Sequence, residues 1–560
     1  MRSTESIIRK APAWYDGDRR SISDAHSVTL PRTRCKDGIV NSVKKTLAPS
    51  LFSSGQGVNA AISFGLVLLL AATSWVPHLP SSLWLDETLT FWVVKDGLAE
   101  TLERSVTYQS QPAYYVIMWF WSQVFGTSEV SLRIPSLLAA LGACVALAKV
   151  GTSLSGDRET GLLGMIVFAS TWNVFRESVD ARSYMLGLAV LLCVVLCLSR
   201  WLERGRWLDT VWVGSLAASL PHLHIFFVLT FPALFLYTAL RWSTTRANVR
   251  QIGLIAAFLL FGALLFIPAA ATLGENSGSY SFVPRPQWSS LFAVFAWGPP
   301  VAGLLAGTCL AGLLGSRVIV RPDPTERSSI APSAKPISRE VALLLATWIF
   351  VPLLLLFFVS MFSEISIFLA RYLIPAVPAV CLLYAVALRA IASPPARIVA
   401  VVVIALASFV THDRPLDDFR GAARAVNEFV AGDSSVPVLL ASGLIEGENE
   451  AWLRDPVRAD YLISPTEYYP MHGRVLPLPR KLQGQPIANE IVEPILRKAG
   501  PFVAVEWYGN GARIMNGLIA RAERAGYRVV KRGFGGVRVA FFRFVGAGHP
   551  GESVRHPTAK

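Results

Sequence analysis

AYYVIMWFWSQVFG, residues 113–126, is the stretch on which the reading of this chain turns. It is apolar, but its 14 residues fall short of the ~20 that a helix needs to cross a bilayer. Tyr114, Tyr115, Trp119 and Trp121 crowd it, and such rings favour the boundary between lipid and water. A helix lying in the membrane interface accounts for both features. With this segment set aside, apolar runs at 57–79, 132–152, 158–176, 183–202, 207–222, 223–240, 251–271, 289–314, 340–361, 372–391 and 396–412 give about 11 spans. The pair around 207–240 is the least secure, because its first member is short and carries Asp209.

That choice sorts the charges. With the N-terminus inside, the inner loops hold Lys149 and Arg158; Arg200, Arg204 and Arg206; Arg241, Arg246 and Arg250; Arg317, Arg321, Arg327, Lys335 and Arg339; and Arg389 with Arg397. The outer loops hold chiefly Lys95, Arg104, Arg176, Arg182, Arg285 and Arg371. Basic residues concentrate in cytoplasmic loops of membrane proteins. Counting 113–126 as a span would invert every later loop and destroy the asymmetry.

The bulk composition agrees. Hydrophobic residues make up 53% of the 560 and charged residues 16%, against about a quarter charged in soluble domains. The formal net charge of +14 therefore reports topology, and no nucleic-acid motif accompanies it. All cysteines but Cys35 lie inside apolar runs (Cys144, Cys193, Cys197, Cys309, Cys381), which points to neither a disulfide framework nor a metal site.

Four regions follow. Residues 1–56 read as a disordered, basic cytoplasmic tail with no apolar core for a cleavable signal. Residues 57–412 form the transmembrane domain, with a long first outer loop at 80–131. Past His412 the pattern becomes that of a soluble protein. Val436–Leu440, Val503–Glu506, Tyr527–Val530 and Val537–Phe544 are β-rich, while Asp417–Val430 and Arg513–Ala525 have helical periodicity. Residues 413–545 are thus expected to form a small α/β domain, placed outside by the odd number of spans, and 546–560 a flexible tail.

The chemistry-bearing residues gather on the outer side. WLDETLTFW (84–92) sets Asp86 and Glu87 between interfacial tryptophans. A carboxylate there is able to take a proton from a hydroxyl, although two acids in an outer loop also read as plainly solvated. FRESVDARSYML (175–186) holds Arg176, Glu177, Asp180, Arg182 and Tyr184 between two spans. Its arginines suit a phosphate, or they are ordinary helix-end charges reaching for water. His222 and His224 flank Leu223. Interfacial packing or substrate contact fits them better than metal, since nothing nearby completes a ligand set. Arg371 opens a span in FLARYLIPAVPAV (368–380), where a charge needs a partner; a lipid phosphate and simple headgroup anchoring both supply one.

The order of these motifs resembles a known family. A DE pair after the first span is followed by QPAYY (111–115), LRIPSLLAAL (132–141), DARSYML (180–186), PHLHIFFVL (221–229) and ARYLIPAVPAV (370–380). This arrangement is similar to the membrane glycosyltransferases of the C-type fold, near the lipopolysaccharide-core galacturonosyltransferases and lipid A aminoarabinose transferases, and further from the protein O-mannosyltransferases. The likeness covers about 80–410 well and the C-terminal domain weakly. It implies transfer of a sugar from a polyprenyl-phosphate donor to a glycolipid, glycan or protein acceptor at the outer face of the cell membrane. Asp86 is then the acid/base residue with Glu87 its neighbour, and Asp180 the acidic position of the second loop. Arg182 and Tyr184 lie near the donor phosphate, while Gln111, His222 and His224 remain for substrate contact. Relatives often carry a His or Lys before two prolines where this chain has Gln111, Pro112 and Ala113. That leaves Arg182, Arg371 or Lys95 to supply the missing cation. The resemblance fixes no cofactor, and a divalent metal stays open. A flippase for lipid-linked sugars is the rival reading, but it calls for repeats or midplane polar groups, whereas the charges here gather at one face. A scaffold subunit is a third reading, and would leave Asp86 dispensable.

Overall fold

The computed structural model describes residues 59–275, 283–295, 298–317, 337–412, 417–441, 443–480, 486–507 and 513–546. The N-terminal tail, the end of the chain past residue 546 and most of the basic loop between Arg317 and Arg339 lie outside the described residues. Seven helices are long and apolar enough to cross a membrane: Ala60–His78, Glu129–Ser155, Tyr184–Arg204, Val249–Thr272, Arg339–Phe362, Ala370–Arg389 and Pro394–Thr411. The chain is a polytopic helical membrane protein.

Three of the expected spans take another form, and a fourth, at 207–222, is a 17-residue helix at its expected bounds but shorter than those seven. The run at 158–176 is a 13-residue helix, Arg158–Ser170, followed by a break at Thr171 and a short helix Trp172–Ser178. The run at 223–240 starts as a 3-10 turn, and that at 289–314 splits into a 3-10 segment and the helix Pro299–Arg317. Hydropathy senses what a segment is buried in, not whether lipid or protein surrounds it. Thr160 through Ser170 are all buried, so this short helix is apolar because other helices enclose it. Residues 112–125 form a single 14-residue helix, ~21 Å long at 1.5 Å per residue.

Small residues set the central packing. A Cβ at Gly161 would stand 2.1 Å from the Ala148 carbonyl oxygen, so Arg158–Ser170 and Glu129–Ser155 touch backbone to backbone, as membrane helices do where glycine permits. At the end of the bundle where these two helices join, Arg389 pairs with Asp157 at 2.8 Å and with Glu159 at 3.3 Å, and Arg397 with Glu159 at 2.8 Å. The helix Glu129–Ser155 runs ~40 Å from there to Glu129, which pairs with Arg420 of the C-terminal domain at 2.6 Å.

That domain is built on a five-stranded sheet, β1 Pro437–Ala441, β2 Arg474–Pro477, β3 Phe502–Trp507, β4 Tyr527–Phe534 and β5 Val537–Phe544, in the order β2-β1-β3-β5-β4. β1 is parallel to β2 and β3, and β5 antiparallel to β3 and β4. Alternation along the strands divides the two faces. Leu439, Ala504 and Phe542 pack under the helices Pro486–Lys498 and Arg513–Arg524. Val438, Val505 and Phe541 share a second core with the helix Phe419–Val430 and with Leu83, Leu85, Leu89 and Trp92 of the first loop. Loop and domain are therefore one packed body. Polar contacts pin it further: Trp92 Nε1 donates to Asp460 at 2.8 Å, Lys95 Nζ to Glu467 at 2.7 Å, and the Leu83 N–H to the Tyr469 hydroxyl at 2.8 Å.

Candidate active site

Asp86 and Glu87 open the helix Leu85–Val94. Consecutive residues of a helix point ~100° apart, so adjacent acids face different surroundings. Glu87 turns inward. It forms an ion pair with Arg133 in which neither side chain is exposed. Its Oε1 accepts from Arg133 Nε at 2.6 Å and from the Ala181 N–H at 2.9 Å. Its Oε2 accepts from the Trp84 N–H at 3.1 Å, which caps the helix as an acid at its third position does. Arg133 also donates to the carbonyls of Leu79, Ser81 and Ser82 at 2.8, 2.7 and 3.0 Å. Glu87 thus ties the first loop, the helix from Glu129 and the second loop together.

Asp86 turns the other way, toward Arg371, whose Nη1 lies 2.8 Å from Oδ2. Burial alone would raise the Asp86 pKa. Arg371 and Arg182, with a smaller effect from Arg176, outweigh burial and hold the carboxyl below its ordinary range. It is a carboxylate at neutral pH. Arg371 lies over the Trp84 and Tyr372 rings at 6.0 and 5.5 Å, and Arg176 over Trp84 at 5.7 Å, cation–π contacts that steady both guanidinium groups. The Trp84 indole is fixed in turn by Asp180, fully buried, whose Oδ1 accepts from Nε1 at 2.9 Å. Asp180 orients the aromatic shelf and does not face the opening.

Arg182 is 8% exposed. Its Nη1 donates to the Asp86 carbonyl at 3.2 Å and reaches Gln109 Oε1 and the Tyr115 hydroxyl at 3.4 Å, while Nε has no hydrogen-bond partner. Burial opposes its charge, but Tyr115 and Asp86 more than compensate and keep it protonated. Gln111 accepts from Ser183 Oγ at 2.8 Å, bracing the turn that carries Arg182. The Tyr184 and His224 rings meet at 4.6 Å, tilted by 36°, and His224 meets Tyr372 at 6.1 Å.

The geometry thus brings Asp86, Arg182, Tyr184, His224 and Arg371 together. Two other sequence candidates point elsewhere. Lys95 is engaged with Glu467 of the C-terminal domain, and His222 Nε2 lies 2.9 Å from the Gly262 carbonyl oxygen, its ring edge-on to Phe266. Among the described residues, no group of three or more His, Cys, Asp or Glu side chains stands close enough to hold a metal ion. Sequence reasoning passed over Arg133, Gln109 and Tyr115. Arg133 had left a signal, a charge in the opening turns of an apolar helix, which demands a buried partner. Tyr115 stood in QPAYY but read only as an interfacial ring, and Gln109 carried no signal.

What the arrangement offers is a carboxylate able to accept a proton, two arginines able to hold an anion, and an aromatic shelf, all at one end of a helical membrane domain. No protein-family model and no curated protein sequence matches the chain. Among solved structures it is similar to ArnT from Cupriavidus metallidurans bound to undecaprenyl phosphate, with a TM-score of 0.50 at 13% identity over 88% of this chain and 100% of that one. The apo state of the same protein gives a TM-score of 0.49 at 14% identity, covering 87% and 98%. At such identity the likeness establishes the fold alone, the C-type fold shared with ArnT.

Proposed function

We propose that the protein is a glycosyltransferase that moves a sugar from a polyprenyl-phosphate donor to a hydroxyl of a glycolipid, polysaccharide or protein acceptor at the outer face of the cell membrane, with Asp86 as the base. The observation that carries this reading is the Asp86–Arg371 pair with Arg182 beside it, at the loop-rich end of the bundle. ArnT, which shares the fold, was crystallised with undecaprenyl phosphate, and a carrier of that kind suits two arginines at a membrane boundary.

The geometry suggests an order of events. In the resting site Arg371 neutralises Asp86 and weakens it as a base. A donor whose tail lies among the membrane helices brings its phosphate to Arg371, and the arginine then divides between two anions. Asp86 regains basicity as it loses its partner. It takes the proton of the acceptor hydroxyl, the hydroxyl oxygen bonds to the anomeric carbon, and the bond from that carbon to the phosphate oxygen breaks. The electron pair leaves with the polyprenyl phosphate, whose charge Arg371 and Arg182 stabilise. In-line displacement inverts the anomeric configuration. Glu87 and Asp180 act as positioning residues, one by locking the loops and the other by holding Trp84.

Carrier binding tests the reading. Undecaprenyl phosphate in detergent micelles should quench the tryptophan fluorescence of the purified protein, since Trp84 lies at the site. Arg371→Ala and Arg182→Ala should each weaken binding by about tenfold or more, as loss of a charge-assisted hydrogen bond does. Arg182→Lys should recover part of the loss, because it keeps the charge without the planar fork. Two alanine variants that bind as tightly as wild type would remove the phosphate site from this place.

A further inference from the structure

The loop after β1 carries a carboxyl group for which the scheme above has no use. Glu446 lies in the one-turn helix Ile445–Glu448, beyond the C-terminal end of a strand with parallel neighbours on both sides, the edge at which open α/β sheets present ligand-binding loops. It is 9% exposed, and its Oε2 has no hydrogen-bond partner. A buried carboxyl oxygen left unsatisfied is costly, and in native proteins it has a reason.

Its surroundings lead back to the site. Tyr461 neighbours the Glu446 carboxyl, and its hydroxyl accepts from Gln109 Nε2 at 3.0 Å. Gln109 Oε1 in turn accepts from the Tyr115 hydroxyl at 3.1 Å and meets Arg182 Nη1. Hydrogen bonds thus run from Tyr461 of the C-terminal domain, the neighbour of Glu446, through Gln109 to Arg182 beside Asp86. The charged and titratable groups facing Glu446 are Asp86, Tyr461 and Arg480, and Arg480 is itself paired with Glu448 at 3.3 Å. Burial first, and then the Asp86 charge, push the Glu446 carboxyl up to about 7. Below that pH it keeps its proton and is able to donate.

We propose that Glu446 is a substrate-contacting residue supplied by the C-terminal domain, its free carboxyl oxygen hydrogen-bonding a hydroxyl of the acceptor next to the one that attacks. This rests on the transferase reading and deepens it. A lipid-linked donor enters from the bilayer, and its phosphate meets Arg371 on a membrane helix. Displacement in line with the leaving phosphate requires the acceptor on the opposite side of the anomeric carbon. The C-terminal domain is the part of the site that no membrane helix supplies, so the acceptor is the substrate it meets.

The test uses the full-length protein, a polyprenyl-phosphate sugar as donor, and membrane vesicles from cells lacking the gene as the acceptor source. Initial rates are taken against donor concentration and, separately, against vesicle concentration. Glu446→Ala should raise the vesicle concentration at half-maximal rate by about tenfold or more, since a site built to bond a hydroxyl discriminates strongly when the bond is lost. The donor KM should stay within about twofold of wild type. Glu446→Gln, which keeps a hydrogen-bond donor but never ionises, carries the test if the alanine variant does not accumulate. In wild type, acceptor saturation should weaken between about pH 6 and pH 8 as Glu446 loses its proton, and in Glu446→Gln that dependence should be absent. An active wild type with an indifferent Glu446→Ala variant, or with an effect confined to donor KM, overturns the Glu446 assignment alone. A wild type inactive with every polyprenyl-phosphate sugar overturns the transferase reading, and this proposal with it.

Discussion

Replacing Asp86 with Asn should have two effects of opposite sign, and that pair of signs is the sharpest consequence of the site. The side chain keeps its volume and loses the charge that Arg371 holds at 2.8 Å. Two unit charges ~4 Å apart attract by about 4 kcal/mol at an effective dielectric constant near 20. The two side chains are 17% and 22% exposed, and the attraction is shared with Arg182 and Arg176, so the net value is nearer 1–2 kcal/mol. Without that competition Arg371 is free for a phosphate, and the variant should bind undecaprenyl phosphate about tenfold more tightly, since ~1.4 kcal/mol is a factor of ten. Transfer should move the other way. Loss of a general base costs about 10²–10⁴-fold, or ~3–5 kcal/mol on the barrier. Fluorescence titration with the carrier and steady-state transfer on the same preparation read both quantities. A well-folded Asp86→Asn protein with near-normal kcat would remove Asp86 as the base. Weaker carrier binding alongside a lost kcat would instead point to a disordered site.

Three further outcomes follow from other parts of the structure. Glu87→Gln or Arg133→Met leaves the remaining buried charge without its partner and should cost ~3–5 kcal/mol, seen as a large fall in the Tm of the detergent-solubilised protein; an unchanged Tm would contradict the role of that pair in joining the loops. The Glu446 carboxyl is raised to about 7, above the ~4.3 of an unfolded Glu. Its contribution to stability is therefore whole below the unfolded value and lost as pH rises through the folded one. Glu446→Gln should accordingly be more heat-resistant than wild type at about pH 8.5 and equal to it at about pH 4; a constant gap across that range would argue against ionisation in the folded state. Single cysteines at Asp455 and Glu103 should react with an impermeant maleimide from outside, and one at Arg204 only after permeabilisation. Labelling of Asp455 on the Arg204 side would overturn the topology.

Much of the membrane domain was legible because lipid selects strongly on composition. Runs such as 183–202 and 340–361 admit no structure but a long helix, and 113–126 forms the short helix that its length allows. The helix Arg158–Ser170 escaped because hydropathy registers the same apolar side chains whether they meet lipid or neighbouring helices. Asp86 and Glu87 looked equivalent in sequence. Their separation into one residue at the opening and one locked to Arg133 comes from the 100° step of the helix, together with a partner 46 residues away. The Asp86–Arg371 pair joins positions 285 residues apart, and no local pattern signals it. Glu446 was the least visible of all, since GLIEGENE (443–450) has the look of a solvated acidic turn. Only the packing of the first loop into the C-terminal domain buries one of its acids and leaves the others exposed or paired at the surface.

The identity of the donor decides the assignment, and one comparison reads it. The purified full-length protein is given the same radiolabelled sugar in two forms, on undecaprenyl phosphate and on a nucleoside diphosphate, with membrane vesicles from cells lacking the gene as acceptor source and a panel of sugars tried in turn. Label should enter the vesicle glycans or glycolipids from the lipid-linked form of at least one sugar, and from no nucleotide form. Robust transfer from a nucleotide sugar, with the lipid-linked form inert, would contradict the assignment.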